Sequence, residues 1–243
     1  MMHGIIAWQP SGPPAANVTL LLHMDGANGS TSFPDNSLSP KTVTPSGDAQ
    51  ISTAQSKFGG SSAVFDGNGD YLSSSGNADF DFGAGDFTIE FFVRLEAYSD
   101  SYSGNYGAAI VSTYRGSGGL PAGWQVRING TSSSFTTVNV YTGSTDLNFS
   151  ASFALSTWYH VAVCRVAGQL RVFVDGVQAG PVVSNTDSFD GSASGSRPLM
   201  IGSLNDATFK FYLNGYLDEM RLTKGTGWYT ADFTPPVAPF PNP

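Results

Sequence analysis

The chain has 243 residues, 40% of them hydrophobic and only 12% charged, and its seventeen Phe, ten Tyr and four Trp are enough to fill a core. Four Lys and seven Arg are scattered without a cluster and the formal net charge is −8, so the chain lacks the basic footprint that nucleic-acid phosphates or an anionic membrane surface require. Cys164 is the one cysteine, which excludes an intrachain disulfide, and no apolar run approaches the ~20 residues that cross a bilayer.

Residues 1–16 read as an extended arm, because Pro10, Pro13 and Pro14 remove donors that strand pairing needs. Ile5, Ile6 and Trp8 on this arm are candidates for docking on a neighbouring subunit, possible copies of the same chain included. The opening residues lack the charged region and apolar core of a signal peptide. The Asn-x-Ser/Thr sequons at Asn17, Asn28, Asn129 and Asn148 are therefore read as incidental, and the chain as folding in a reducing cytoplasm.

Val18–Met24 is the first expected strand, and Asp25–Ser39 is dense in the residues that only a long loop tolerates. Strands at 63–65 and 71–73 flank the glycine-rich turn Asp66–Asp70. In Phe87–Leu95 the residues Phe87, Ile89, Phe91, Val93 and Leu95 share one face, and Thr88, Glu90, Phe92 and Arg94 the other. Further strands are expected at 108–114, 124–129, 135–141, 158–166, 170–174, 199–202 and 215–223. Within Trp158–Gly176, two β-branched runs flank the Ala167–Gln169 break, and Asp175-Gly176 marks a second turn, so this segment is a hairpin leading into another. Residues 233–243 contain five prolines and form a tail, with Phe233, Val237 and Phe240 as expected anchors.

No helical period and no internal repeat interrupts this series. About a dozen short strands in one domain, residues 17–232, predict an all-β fold: a two-sheet antiparallel sandwich, with a closed barrel as the alternative.

Seven segments, in register, carry a family resemblance: Leu20–Gly26 with Asp35, Phe65–Leu72, Gly85–Val93, Trp158–Ala162, Phe173–Gly176, Ile201-Gly202 and Gly215–Leu222. Over roughly residues 17–240 the chain resembles the laminin-G-like, concanavalin A-like lectin/glucanase domains. Its ends, Leu21–Thr31 and Arg221–Pro236, look like the modules of this kind on bacteriophage tail, fibre and capsid proteins. The resemblance implies a jelly roll, a place on the virion surface, and either binding of host or environmental glycans or a structural role, as a capsid decoration or fibre subunit whose arm and proline tail bind neighbouring subunits. The fold also hosts glycosidases, so it does not choose among these by itself.

Catalysis finds little support in the residues. Glycosidases need two carboxylates about 5–9.5 Å apart, and Glu90, Glu96 and Glu219 lie in no acidic pattern. Asp79 and Asp81 are the nearest mimic and read as a solvated turn. No catalytic residue is assigned. In Gly215–Thr223, alternation places Asp218 on the same inward side as Met220 and Leu222, and an inward carboxylate must be paired, hydrogen-bonded or metal-bound. Asp25, Asp35 and Asp66 are its possible companions in a structural Ca²⁺ site, which the resemblance also implies.

Two regions are candidates for a ligand. Apolar residues of 124–129 and 135–141 alternate with Gln125, Arg127, Asn139 and Tyr141, which then share an outer sheet surface suited to a sugar, although any solvated face reads the same way. Tyr98, Tyr102, Tyr106 and Tyr114 sit among Ser, Gly and Asn, the mixture of adaptable binding loops, or of a loop packed on its own tyrosines.

Overall fold

A computed structural model describes residues 17–98, 100–102, 105–114, 123–190, 197–204, 206 and 210–243. Ile5, Ile6 and Trp8 lie outside the described residues. In chain order the strands are β1 (Val18–Leu22), β2 (Thr44–Ser46), β3 (Gln50–Ser52), β4 (Ser62–Asp66), β5 (Tyr71–Ser74), β6 (Phe87–Leu95), β7 (Asp100–Tyr102), β8 (Asn105–Ser112) and β9 (Gln125–Gly130). They continue as β10 (Phe135–Tyr141), β11 (Asp146–Phe153), β12 (Trp158–Val166), β13 (Gln169–Val174), β14 (Val177–Gln178), β15 (Val183–Ser184), β16 (Leu199–Ile201) and β17 (Asn214–Lys224).

These strands form two antiparallel sheets stacked as a sandwich, as the alternation predicts. One has nine strands in the order β14-β13-β12-β6-β17-β4-β3, with β1 on β17 and β15 on β13. The other has eight, β11-β10-β9-β8-β16-β5-β2, with β7 on β8. Phe87, Ile89, Phe91, Val93 and Leu95 all point between the sheets into one continuous core with Trp124, Val126, Ile128, Val138, Val140, Leu217, Met220 and Leu222. Both turns of the 158–177 segment have two residues, as Val166 pairs with Gln169 and Val174 with Val177. Ala167, Gly168, Asp175 and Gly176 all have left-handed backbones, the geometry that matches the twist of the flanking strands.

The outer face of the nine-stranded sheet is not left to solvent. Residues 226–243 run across it as a strap. Phe240 and Tyr229 are buried there, and Phe233 packs face to face on Tyr229 with ring centroids 3.7 Å apart. Val237 is 58% exposed, so it is not the anchor expected of it, and Tyr229 takes that part. Proline removes donors, so the tail cannot lengthen the sheet and instead packs by its aromatic rings.

Beneath the strap lies a polar cluster. Glu90 and Arg221 are both fully buried; the guanidinium donates to Glu90 Oε1 at 3.0 and 2.7 Å, and Tyr229 Oη donates to Glu90 Oε2 at 2.9 Å. The Arg221 guanidinium lies 4.2 Å from the Trp228 ring centroid and 4.0 Å from that of Phe240. Burial drives the Glu90 carboxyl toward its neutral form, but Arg221 and the nearby His160 outweigh this and hold its pKa below the ordinary value.

Removing one partner of a buried pair strands the other without solvent, at a cost of about 3–5 kcal/mol. Arg221→Met is expected to lower stability by about that amount in urea unfolding, and Arg221→Met combined with Glu90→Leu to recover most of it.

Candidate functional site

The expected sugar patch forms only in part. Gln125, Arg127, Asn139 and Tyr141 do share the outer face of the eight-stranded sheet, since β9 and β10 pair Arg127 with Asn139 and Gln125 with Tyr141. Gln125 and Asn139 are buried, however, and so belong to the floor of the patch. Arg127 Nε and Nη2 donate to Asn139 Oδ1 at 3.2 and 3.0 Å; Asn139 Nδ2 donates to Asp146 Oδ1 and Asn148 Oδ1 on the exposed strand β11. Above this network the rings of Tyr114 and Tyr141 meet edge to face, 5.5 Å apart, and Arg127 lies 4.6 Å from the Phe211 ring centroid. Burial raises the pKa of both tyrosines and lowers that of Arg127, so the phenols stay neutral donors at physiological pH.

Of the four tyrosines expected in one loop, the three whose side chains are described are separated. Tyr114 joins the patch. Tyr98 packs instead against Phe135, 4.9 Å away, at the edge of the core. Along β8, Ala108 and Ile110 face the core while Ala109 belongs to the outer cluster with Leu204 and Phe211, which puts Tyr106 on the core side. The side chain of Tyr102 lies outside the described residues. Strand parity, not loop composition, decides where these rings point.

The four aspartates also fail to meet as a set. Among the described residues no group of three or more His, Cys, Asp or Glu is arranged to hold a metal ion. Asp35 accepts from Leu21 N, Ser37 N, Ser37 Oγ and Lys41 N, and so staples the loop after β1 to that strand. Asp66 caps Asn68 N in the turn before β5.

Asp218 is buried, but not on the inward side. A bulge at Glu219, whose φ is 49°, shifts the register between Asp218 and Arg221. Leu217, Met220 and Leu222 face the core, whereas Asp218 points outward beneath the turn at Lys57 and Phe58. One extra residue inverts the parity of all that precedes it.

Asp218 Oδ2 accepts from Lys57 N at 2.7 Å and Phe58 N at 3.0 Å, while Oδ1 is buried with no partner. Burial pushes the Asp218 carboxyl up to about 8, and Glu219 and Asp25 add to the effect. The Asp25 carboxylate closes on the same turn, at Gly59, where a Cβ would lie 1.8 Å from Asp25 Oδ1. Next to it, His23 Nδ1 lies 2.9 Å from both Glu219 oxygens and Nε2 is 2.9 Å from Asn242 Oδ1. The Glu219 hydrogen bond lifts His23 to about 8.

A third place has no counterpart among the expected sites. At the end of the nine-stranded sheet that the strap leaves open, a groove of about 540 Å³ is lined by Gln55, Val64, Asp66, Arg94, Asn214 and Tyr216, among others. Each of these strand residues is on an outward position by simple alternation. Their assembly depends on cross-strand register, which the sequence does not carry.

The acids weighed for catalysis are all committed elsewhere. Glu90 sits under the strap; Glu96 accepts from Arg94 Nε and Ser156 Oγ, both at 2.6 Å; Glu219 binds His23. Asp79 pairs with Lys41 Nζ at 2.8 Å and Asp81 caps Gly83 N at 3.0 Å.

Comparison with known proteins places this geometry in a family. Residues 66–226 match the Laminin_G_3 model, described as the concanavalin A-like lectin/glucanases superfamily. A search of curated proteins finds no match. Among solved structures, the binding domain of Paraclostridial Mosquitocidal Protein 1 superposes with a TM-score of 0.61 at 14% identity, covering 88% of this chain and 50% of that one. Domain 4 of an extracellular arabinanase from Geobacillus stearothermophilus, solved in complex with arabinotriose, gives 0.59 at 14% identity, covering 87% and 94%. A mutant Trypanosoma rangeli sialidase gives 0.56 at 14%, covering 89% of this chain and 32% of the enzyme. The chain thus spans half or less of the toxin domain and the sialidase, and at such identities the likeness is one of fold. With about two thirds of its length matched by the family model and its strands folded as a two-sheet sandwich, the chain belongs to the concanavalin A-like lectin/glucanase superfamily.

Proposed function

We propose that this chain is a non-catalytic carbohydrate-binding module that contacts host or environmental glycans from the surface of a bacteriophage particle. The observation that carries the reading is the Arg127–Asn139–Asp146–Asn148 network beneath the Tyr114–Tyr141 pair. Sugars are recognised by ring faces that cover their C–H surfaces and by polar groups already held in place for their hydroxyls. Here buried Asn139 fixes its neighbours, so their ordering entropy is lost on folding, before any ligand arrives. The arabinanase domain that shares the fold, solved with arabinotriose, supports the same class of ligand.

A second reading is a structural virion subunit. Val177 and Val182, 61% and 38% exposed, lie at the edge of the nine-stranded sheet formed by β14 and β15, where a neighbouring subunit or a second copy could cover them.

On an array of surface glycans the chain is expected to bind without releasing sugar. Tyr141→Ala and Arg127→Ala should each weaken binding about tenfold or more with unchanged folding by circular dichroism. Undiminished binding by both variants would overturn this site, and concentration-dependent assembly without glycan binding would favour the structural reading.

The calcium expectation narrows to Asp218 and Asp25, whose charges interact across the 57–59 turn. The fit rests on Asp218 Oδ1, a buried oxygen without a partner, and oxygen is what Ca²⁺ collects. Bound there, the ion would supply the charge that an ionised Asp218 otherwise lacks.

The pH dependence follows in sign. Asp218 is raised to about 8, from ~3.9 in an unfolded chain. Its contribution to metal-free stability is therefore complete at low pH and is lost as pH rises through about 8. His23, also raised to about 8, loses its contribution in the upper part of that window. Asp218→Asn should therefore melt higher than the native chain at pH 8.5 in chelator, with the gap closing at pH 5. Millimolar Ca²⁺ should raise the native melting temperature at pH 8.5 and leave Asp218→Asn unmoved. A native chain indifferent to Ca²⁺ would end the metal reading.

A further inference from the structure

The outer face of the nine-stranded sheet changes character within one pair of residues. Cross-strand register lines up Gln50, Val64, Tyr216, Arg94 and Trp158 on the neighbouring strands β3, β4, β17, β6 and β12. Every member of this row is half-buried. Two residues further along the strands, Ser62, Asp218, Phe92 and His160 form the next row, and all four are fully buried. The strap and the Lys57–Phe58 turn roof the second row: Phe240 lies 6.2 Å from Phe92 and 6.5 Å from His160, Phe233 lies 5.7 Å from His160, and Phe58 packs edge-on against Phe92 at 5.2 Å. The first row is therefore a floor, and the edge of the strap is a wall beside it.

The other wall is polar and fixed. Asn214 Nδ2 donates to Asp66 O at 2.8 Å, Arg94 is held by Glu96 Oε1 and by Ser156 O, and Ser156 Oγ closes the ring on Glu96 Oε2. Tyr216, Val64, Arg94, Asp66, Asn214, Glu96 and Gln55 thus enclose the groove of about 540 Å³, inside the ~300–1,000 Å³ usual for ligand sites. Of the first row, Val64, Tyr216 and Arg94 line the groove, so its floor spans two strand spacings, about 10 Å, long enough for about two sugar rings.

We propose that this groove is a second saccharide-binding site, which takes a neutral oligosaccharide lying across the strands with a ring on Tyr216. Tyr216 offers an apolar ring face on the floor, with Val64 and the stem of Arg94 on either side of it. The polar wall offers the acceptors of Asp66 and the amides of Asn214 and Gln55 to hydroxyl groups. Charge selects against acidic sugars. Arg94 is already matched by Glu96, so the carboxylate of Asp66 leaves the groove negative, and a uronic or sialic acid meets repulsion without a free cation among its lining residues. The site lies on the sheet opposite the Arg127–Tyr141 patch, and it stands on its own observations.

The test is calorimetric titration of the full chain with malto-, cello-, xylo- and arabino-oligosaccharides of three to six units, and with oligogalacturonides of the same lengths. At least one neutral series should bind and the acidic series should not. Tyr216→Ala should weaken that binding about tenfold or more, Tyr216→Phe should stay within about threefold, and both should melt like the native chain. Equal binding by native chain and Tyr216→Ala overturns the proposal, as does tighter binding of the oligogalacturonides or no binding of any neutral series. If binding is instead lost in Tyr141→Ala and kept in Tyr216→Ala, this groove fails while the glycan-binding reading of the opposite face stands.

Discussion

A carboxylate with none of its surface in water has to be matched where it stands, and Glu90 in the middle of the nine-stranded sheet is such a group. Arg221 on the neighbouring strand supplies the charge and Tyr229 the remaining donor. The pair is satisfied only while water is kept out, and what keeps it out is the aromatic content of the last eighteen residues. The rings of Trp228 and Phe240 both lie against the guanidinium, and Phe233 lies on Tyr229. The ion pair and the strap are therefore one device. Without the strap the pair would be an exposed contact worth little, and without the pair the strap would cover an unmatched charge.

That device determines where the sheet can meet a ligand. A strap fixed at Arg221 and Phe240 shields the rows of Glu90 and Phe92 and stops short of Arg94 and Tyr216. The bulge at Glu219 matters here as well. It turns Asp218 outward beneath the Lys57–Phe58 turn and lets Glu219 hold both His23 and the amide of Phe240. A single left-handed residue in β17 thus joins the first strand, the 57–59 turn and the end of the strap at one corner. The corner brings Asp25, Asp218 and Glu219 together: burial, with the neighbouring carboxylates adding to it, pushes Asp218 up to about 8, and the Glu219 hydrogen bond lifts His23 to about 8.

Much of this architecture is legible in the chain itself. The two-sheet sandwich follows from period-two alternation, which in Phe87–Leu95 sorts every side chain correctly for β6. The turns at Ala167-Gly168 and Asp175-Gly176 are equally clear, since each needs two left-handed residues and offers a glycine. β11 is harder to see: Leu147, Phe149, Ala151 and Phe153 alternate with Asn148, Ser150 and Ser152, but small polar residues disguise the strand as a loop. Asp218 cannot be placed by parity, because a non-glycine bulge at Glu219 leaves no mark in composition. The tyrosines of 98–114 mislead for a related reason. Two of them, Tyr102 and Tyr106, lie within strands, where the side of the sheet, not the neighbouring Ser and Gly, sets which way a residue points.

The two outer faces hold their polar groups in place in different ways. On the eight-stranded sheet the polar groups are fixed from below: Asn139 is buried and saturated, and it positions Arg127, Asp146 and Asn148 at the surface. On the nine-stranded sheet they are fixed from the side, by Ser156 and Asp66 backbone oxygens at the strand ends. Both arrangements hold hydrogen-bonding groups still next to aromatic rings. Glu90, Glu96 and Glu219 are each paired with a basic residue, Arg221, Arg94 and His23 in turn, and each pair ties a strap, a strand end or a loop to the sheet.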